Sequence, residues 1–119
     1  MGENIIETKS FKFAIRIVKL YKYLTENKKE YILSKQLLRS GTSIGANVTE
    51  AQQAQSSADF INKMNIALKE TVETRYWIRL LIETDYLTNE QGKSLLEDCV
   101  ELENILASII KTTKERNGI

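Results

Sequence analysis

The chain has 119 residues, no proline, no histidine, five glycines and one cysteine, and its formal net charge is +1. A chain of this length is expected to form one domain, residues 1–119, with a substantial hydrophobic core. The lack of histidine excludes histidine-dependent catalytic triads and the carboxylate–histidine di-iron sites of helical bundles. A charge near zero is unlike that of an obligate nucleic-acid coat protein.

The remaining composition indicates an intracellular helical protein. One cysteine cannot form an internal disulfide, which is typical of a reducing cytoplasm. Neither a signal peptide nor an apolar run of transmembrane length is visible. We therefore predict a cytoplasmic location and no membrane partner.

The first predicted helix, at about residues 10–25, carries two adjacent apolar stripes. Their members follow helical spacing: Phe11, Ala14, Ile15, Val18 and Tyr21 in one stripe, and Phe13, Ile17, Leu20 and Leu24 in the other. A helix of a simple bundle buries only one such stripe. The extra stripe predicts contact with another subunit, and a thick core helix is the alternative.

Three further helices are predicted, at about residues 30–55, 58–84 and 89–114. Ser56 or Ser57 is expected to cap the third helix, and Thr88 with Gln91 three residues later predicts a capping box for the fourth. The apolar seam of the fourth helix comprises Leu95, Cys99, Leu102, Leu106 and Ile109. Four helices joined by short loops predict an all-α fold, an antiparallel up-and-down four-helix bundle.

Candidate catalytic groups are few. Cys99 lies in the apolar seam of the fourth helix, where a free cysteine is usually inert. An acidic cluster flanks it in sequence on both sides and comprises Glu97, Asp98, Glu101 and Glu103. Without carboxylates from other helices, this cluster is typical of a solvated helix face rather than a metal site. No glycine-rich phosphate loop is present. We predict that the protein is not an enzyme and has no cofactor, metal or small-molecule substrate.

Residues 38–51 place small and polar side chains where large apolar ones are usual in an amphipathic helix. Gly41 and Gly45 would each destabilise a helix by about 1 kcal/mol relative to alanine. Close approach of a neighbouring helix is the simplest compensation. Ser43 and Asn47 are expected to be packing residues, with Ser43 bonded to the Arg39 carbonyl. Direct contact with a ligand is the alternative.

Basic side chains follow one side of the first helix. They are Lys9, Lys12, Arg16 and Lys19. Residues 1–56 carry nine basic and five acidic groups, a net charge of +4, whereas residues 57–119 carry eight and eleven, a net charge of −3. A basic stripe attracts phosphate backbones, and nearby Tyr21, Tyr23 and Tyr31 could stack on bases. An ordinary solvated face with packed tyrosines is the alternative.

The pattern within residues 39–50 resembles the hallmark of the 23S rRNA intervening-sequence proteins. The residues that carry this resemblance are Arg39, Ser43, Ile44, Asn47, Val48 and Glu50. The resemblance implies an up-and-down four-helix bundle that assembles as a pentameric ring. It also implies a relation to the accessory variability proteins of diversity-generating retroelements, whose basic pentamers bind nucleic acid and a reverse transcriptase. Here Gly45 replaces the usual proline of the motif, and Gln52 and Gln53 replace basic residues.

These observations lead to one functional hypothesis and one alternative. The hypothesis is a non-enzymatic homo-oligomer, a pentamer by resemblance, that binds RNA or a nucleic-acid-handling partner such as a reverse-transcriptase-like protein. The alternative is a structural or adaptor oligomer without a nucleic-acid role, in which the residue 39–50 motif serves assembly only. A helical ribonuclease of the toxin type is disfavoured, because such enzymes generally depend on an Arg/His motif.

Overall fold

A computed structural model describes residues 4–118, which form four α-helices and no strand. The helices are α1 (Ile5–Glu26), α2 (Leu33–Ala51), α3 (Ser57–Glu83) and α4 (Asn89–Asn117). Each helix packs beside its neighbours in the sequence, and α4 returns to lie beside α1. The predicted all-α four-helix bundle is therefore confirmed.

In each pair of packed helices, residues near the start of one helix lie beside residues near the end of the other. The paired helices are therefore antiparallel, which gives the up-and-down topology. Ser10 lies beside Gly45, whereas Ile17, further along α1, lies beside the earlier residue Gly41. The ion pairs between α2 and α3 show the same reversal. Since α1 packs against α2 and α4 but has no contact with α3, α1 and α3 occupy diagonal corners of the bundle.

Helix α1 begins earlier than predicted, at Ile5 rather than near residue 10. The Asn4 side chain accepts a hydrogen bond from the Glu7 backbone N–H at 3.2 Å and so caps the helix. Asparagine followed three residues later by glutamate is a recognised N-terminal signal. The sequence therefore contains a start signal for α1 before residue 10.

Helix α2 begins at Leu33, whereas the sequence predicted a start near residue 30. Glu30 does not enter the helix, because its carboxylate caps the first turn. It accepts hydrogen bonds from the backbone N–H groups of Ile32 and Leu33 at 3.1 Å and of Ser34 at 2.7 Å. Lys29, just before it, has a φ of 56°, a left-handed conformation that a continuing helix does not allow.

Helix α2 also ends earlier than predicted, at Ala51 rather than near residue 55. The backbone N–H groups of Gln52, Gln53 and Ala54 each bond the carbonyl three residues earlier. This is the 3₁₀ pattern, which often tightens the end of an α-helix and satisfies its last carbonyl groups. The chain therefore turns toward α3 by tightening, without a glycine or proline.

The other helix ends lie close to their predicted positions. Ser56 accepts a hydrogen bond from the Asp59 N–H at 3.1 Å, and Thr88 and Gln91 form the reciprocal capping box. Helix α4 continues to Asn117 rather than ending near residue 114. The last buried position of its seam is Ile110, one residue after the predicted Ile109.

All four helices contribute large apolar side chains to one core. The largest fully buried apolar side chains are Phe13, Ile17, Leu24, Leu37, Ile44, Val48, Met64, Ile78, Leu81, Leu102 and Leu106. A few hydroxyls are buried among them, and each has a partner: Thr74, for example, donates to Ser40 Oγ or to the Glu70 carbonyl. Within residues 4–118, no buried side-chain nitrogen or oxygen lacks a hydrogen bond. The core therefore carries no unsatisfied polar group that would point to a buried ligand.

We predict that the Glu30 cap makes bundle stability depend on pH. Burial alone would raise the pKa of Glu30, but the backbone N–H groups of Ser34, Leu33 and Ile32 outweigh it and lower that pKa. Because the folded pKa is lowered, the charged cap stabilises the fold above the unfolded pKa of about 4.3, and this contribution disappears as the pH falls through the folded pKa. Glu30→Gln should therefore cost about 0.5–2 kcal/mol at pH 7.

Urea denaturation of the parent and of Glu30→Gln at pH 7 and pH 3 measures this effect. The difference in unfolding free energy should shrink at pH 3, which lies below the unfolded pKa of about 4.3, because the unfolded carboxylate is then protonated and folding with a charged cap requires loss of that proton. Glu26→Gln, on an exposed residue of the last turn of α1, is the matched control and should change little at either pH. An equal difference for Glu30→Gln at both pH values would contradict the role of the charge.

Candidate functional site

Cys99, the one thiol of the chain, is held in a chemically inert environment. Its side chain is fully buried, and Sγ donates to the Thr71 carbonyl at 3.4 Å. Burial, with a further contribution from the negative charge of Glu103, raises the pKa of Cys99 to about 12. The thiol is therefore protonated near neutral pH, and a nucleophilic cysteine requires the opposite shift.

The acidic residues of α4 do not converge on one point. Asp98 and Glu101 form ion pairs with α1, whereas Glu103 binds Arg75 of α3 through two hydrogen bonds of 2.7 and 3.1 Å. No group of three or more metal-binding side chains could hold an ion within residues 4–118. The arrangement is that of helix-to-helix ion pairing.

The predicted basic face of α1 lies next to these carboxylates. Lys9 Nζ is 3.1 Å from Glu101 Oε1, and Arg16 Nη1 is 2.5 Å from Asp98 Oδ2. Arg16 also donates to Ser94 Oγ at 3.0 Å. The basic stripe and the acidic cluster, which the sequence presents as separate features, therefore meet across α1 and α4.

The other two members of the stripe remain exposed. Neither Lys12 nor Lys19 forms an ion pair with another residue between 4 and 118. The structure thus divides the stripe: Lys9 and Arg16 are engaged within the bundle, and Lys12 and Lys19 extend into solvent. Of the four basic side chains, Lys12 and Lys19 are therefore the two whose charge is free to interact with a partner.

The two apolar stripes of α1 have different environments. Phe13, Ile17 and Leu24 are in the core. On the opposite side, 67% of Phe11, 41% of Ile15 and 37% of Val18 is exposed, and we refer to these three residues as the α1 ridge. The described part of the chain leaves the α1 ridge uncovered, whereas Ala14 and Tyr21 of the same stripe are half-buried.

Arg39, the first residue of the motif, joins α2 to α3. It donates to Glu70 at 2.9 Å and to Glu73, and Glu73 also accepts from Trp77 Nε1 at 2.9 Å. The hydrogen bond from Trp77 makes the largest contribution to lowering the pKa of Glu73, and the contact with Arg39 lowers it further. Glu73 in turn raises the pKa of Arg39. Both groups are therefore ionised near neutral pH.

The remaining motif residues continue this contact along α2. Ser43 Oγ donates to the Arg39 carbonyl at 2.6 Å, the bond that the spacing predicted, and Asn47 donates to the Ser43 carbonyl at 2.9 Å. Ile44 is fully buried in the core. Glu50 pairs with Lys63 of α3 at 3.2 Å. The motif thus bonds to its own helix and to α3.

The glycines of the same segment face α1. A Cβ atom at Gly41 would lie 2.8 Å from both Cγ1 and Cγ2 of Ile17, and one at Gly45 would lie 3.3 Å from the Ser10 carbonyl oxygen. The first distance is well inside ordinary van der Waals contact. The close helix approach that the two glycines predicted is therefore present.

A groove between α3 and α4 was not predicted from the sequence. Its volume is about 580 Å³, and its lining residues are Arg79, Ile82, Glu83, Asn89, Lys93, Leu96, Glu97 and Val100. A Cβ atom at Gly92 would lie 2.1 Å from Ile82 Cδ1, so this glycine admits the isoleucine that forms one wall. In the sequence, Gly92 is the residue that indicates this close contact. A glycine inside a helix destabilises the helix, and close packing of a neighbouring helix can compensate for that loss. We refer to this feature as the α3–α4 groove.

The three tyrosines near the basic face differ in exposure. Tyr31 is 59% exposed in the connection between α1 and α2. Tyr21 and Tyr23 are half-buried, and Lys28 Nζ lies 6.0 Å from the centre of the Tyr23 ring. Only Tyr31 therefore presents most of its ring to a partner.

Within residues 4–118, none of the helices has the combined length and apolar character that crossing a bilayer requires.

Comparison with known proteins identifies relatives along nearly the whole chain. Residues 2–108 match the family model described as 23S rRNA-intervening sequence protein. The chain is also similar to the crystal structure of a protein with unknown function from the S23 ribosomal protein family from Bacteroides thetaiotaomicron. The sequence identity is 60%, the TM-score is 0.88, and the alignment covers 89% of this chain and 98% of that chain. No curated protein matches the sequence.

The glycine contact predicts a stability difference between two conservative substitutions. Gly41→Ala should destabilise the bundle by about 1–3 kcal/mol, because the new methyl group overlaps the branched part of Ile17. Gly45→Ala is the matched control and should cost less, because a contact at 3.3 Å needs only a small shift and alanine favours the helix by about 1 kcal/mol. Urea denaturation followed by circular dichroism measures both. A Gly41→Ala variant as stable as the parent would show that α1 does not approach α2 this closely.

Proposed function

Since this chain belongs to the 23S rRNA-intervening sequence protein family, we propose that it is a non-enzymatic helical bundle that assembles into a homo-oligomer and binds RNA or a nucleic-acid-handling protein. The solved relative is itself described as a protein of unknown function. The proposal therefore depends on the surface of this chain. The observation that carries it is the exposed α1 ridge.

The α1 ridge supports self-association because it is a continuous apolar surface on a rigid element. Phe11, Ile15 and Val18 lie about one turn apart on the same side of α1. Burial of a large apolar side chain contributes roughly 1.5–3 kcal/mol, so covering three of them gives a substantial driving force. A second copy of the chain is the partner always present at equal concentration. The family resemblance makes five the expected number of copies.

The non-enzymatic part of the proposal has separate support. The one thiol is buried and protonated, the carboxylates of α4 are divided between two neighbouring helices, and the chain contains no histidine. General acid–base or nucleophilic catalysis needs side chains that converge on a reacting atom. A free buried cysteine also fits a reducing cytoplasm, where we place the protein.

The RNA-binding part depends on lysines that form no ion pair with a carboxylate of residues 4–118. Lys12 and Lys19 are exposed on α1, and Lys28 and Lys29 are exposed in the following connection beside Tyr31. Cations attract the phosphate backbone, and an exposed aromatic ring can stack on an unpaired base. A ring would repeat this surface in every subunit. A reverse-transcriptase-like protein remains the proposed alternative partner.

The adaptor alternative, an oligomer without a nucleic-acid role, is favoured by one observation. Lys9 and Arg16 are occupied by Glu101 and Asp98, so half of the predicted basic stripe is not available. We therefore expect modest affinity for RNA, and the experiment on Lys12 and Lys19 decides between the two functions.

The proposed assembly predicts a mass well above that of one chain. Size-exclusion chromatography with light scattering, at tens of micromolar protein, should show the parent as an oligomer. Ile15→Glu should shift it toward the monomer, because a carboxylate would have to be buried in the interface. Ile66→Glu is the matched control, since Ile66 is 37% exposed on α3, and it should leave the mass unchanged. A monomeric parent would contradict the proposal.

The proposed RNA contact predicts a characteristic salt dependence. Labelled single-stranded RNA should bind the parent at about 50 mM salt and weaken as salt rises, because each neutralised phosphate releases counterions. The double variant Lys12→Gln/Lys19→Gln should reduce the slope of log K against log salt by about 0.7 for each lysine that contacts a phosphate of the strand. The reduction is therefore about 1.4 for one subunit in which both lysines make contact. Arg16 is left unchanged because its loss would disturb the contact with Asp98.

The control for this measurement is Lys69→Gln with Lys111→Gln, which removes the same charge from exposed positions on α3 and α4. It should preserve the parent slope. If the parent binds no RNA even at the lower salt concentration, the RNA contact is ruled out and the adaptor function is the better supported of the two.

A further inference from the structure

We propose that Tyr31, in the connection between α1 and α2, stacks on an unpaired base of single-stranded RNA while the neighbouring lysines contact its phosphates. This inference rests on the proposed RNA-binding function and adds the form of RNA that is bound and the residue that distinguishes it. The lysines alone would attract single strands and duplexes alike, because both carry a charged backbone. An exposed aromatic ring adds a contact that an unpaired base can accept.

Tyr31 and Ile32 form an exposed apolar pair, which we refer to as the Tyr31–Ile32 pair. The exposed fraction is 59% for Tyr31 and 76% for Ile32. Within residues 4–118, neither another ring nor a cation packs on the Tyr31 ring, whereas Lys28 Nζ lies over the ring of Tyr23. The fold of the single chain therefore leaves the Tyr31 ring available for stacking.

The position of Ile32 is unusual for an isoleucine. Ile32 is the N-cap of α2, where Ser, Thr, Asp and Asn are preferred because their side chains bond the first backbone N–H groups. Ile32 forms no such bond, and the Glu30 carboxylate takes this role instead. Neither burial nor capping accounts for this side chain. Apolar surface beside an aromatic ring is, however, a common environment for a base that is out of its stack.

Hydrogen bonds hold the Tyr31–Ile32 pair in a fixed position. The Glu30 N–H donates to the Leu24 carbonyl at 3.0 Å, which ties the connection to α1. The Glu30 carboxylate accepts from the Ile32 N–H at 3.1 Å and from the Ser34 N–H at 2.7 Å, which ties it to α2. Tyr31 therefore lies between two residues that are already ordered. Stacking on it loses little conformational entropy, which favours binding.

The charge around the pair attracts an anion. Within residues 22–36, four lysines are exposed, and none of them forms an ion pair within residues 4–118: Lys22, Lys28, Lys29 and Lys35. Glu26 is the one exposed carboxylate of this segment, since Glu30 is buried. The α3–α4 connection at the same end of the bundle, residues 84–88, carries Asp85 and no basic residue. Phosphates are therefore attracted to the α1–α2 side of this end.

The size of the pair favours a base over a protein surface. A stable protein interface takes about 20–30 residues from each partner, and the exposed apolar surface here comes from two. A stacked base needs only one ring, and every base has a face that can stack. The excess of lysines then supplies the contact with the backbone that such a base requires.

Anisotropy titrations with labelled single-stranded and duplex RNA of equal length test this contact. At about 50 mM salt, Tyr31→Leu should weaken binding of the single strand by about 5-fold to 100-fold, the loss expected for one stacked base. It should leave the affinity for the duplex unchanged, because the bases of a duplex are already paired and stacked. Tyr31→Phe should bind like the parent, since the ring is retained.

The salt dependence separates stacking from charge. Tyr31→Leu removes no charge, so the slope of log K against log salt should equal that of the parent. Lys29→Gln with Lys35→Gln should reduce the slope by about 0.7 for each lysine that contacts a phosphate. Tyr76→Leu is the matched control, because Tyr76 is 56% exposed on α3, and it should bind like the parent. Circular dichroism and light scattering check that each variant keeps the fold and the mass of the parent.

The outcomes separate this inference from the proposed function. If the parent binds RNA and Tyr31→Leu binds single strands equally well, RNA binding stands and the stacking contact is wrong. Equal losses for single strand and duplex would also overturn stacking on an unpaired base, as would a loss in Tyr31→Phe as large as that in Tyr31→Leu. If the parent binds neither form of RNA, both this inference and the RNA-binding function are wrong.

Discussion

The contact between α1 and the main chain of α2 determines how α1 is oriented. Gly41 and Gly45 leave no side chain between the two helices, so Ile17 and Ser10 pack directly against the α2 backbone. This fixes the rotation of α1 about its own axis. Because one side of α1 must then face the core, the opposite side, which carries Phe11, faces solvent. The uncovered ridge is thus a geometric result of the glycine contact.

The same orientation brings basic side chains of the first half of the chain next to carboxylates of the second half. Lys9 and Arg16 project toward α4, and Arg39 projects toward α3, where carboxylates receive them. The excess of positive charge in the first half and of negative charge in the second therefore holds two helical hairpins together. Exposed ion pairs of this kind contribute only about 0.2–1 kcal/mol each, so their main effect is on pairing and orientation.

Features that depend on one helix were predicted well from the sequence. The two stripes of α1, the Ser56 cap and the hydrogen bond from Ser43 to Arg39 follow from spacing along a single helix. The predicted starts of α1 and α2 were wrong because side-chain caps determine them: Asn4 caps α1, and the Glu30 carboxylate binds the backbone N–H groups of the first turn of α2. The predicted end of α2 was wrong because 3₁₀ hydrogen bonds close that helix at Ala51.

Features that depend on two helices were not predictable in the same way. The partners of Lys9 and Arg16 lie more than 80 residues away in sequence. Their pairing depends on the rotation of α1 and α4 relative to each other, which no single-helix pattern contains. The α3–α4 groove has the same origin, since its walls come from two helices and Gly92 of α4 makes room for the Ile82 side chain of α3. Local spacing therefore predicts the helices and their faces, whereas interhelical geometry determines the candidate sites.

The limited contact between α1 and α4 has a consequence for how the chain reaches its native state. Every other helix pairing joins neighbours in the sequence, so loop closure is short and its entropic cost is low. Only α1 with α4 requires distant segments to meet, and it is the least extensive of the four pairings. The relative contact order is therefore low, which is typical of rapid folding. We expect the hairpins to form first and the closure of α1 on α4 to complete the bundle, so that in the native state this seam opens at the lowest free energy.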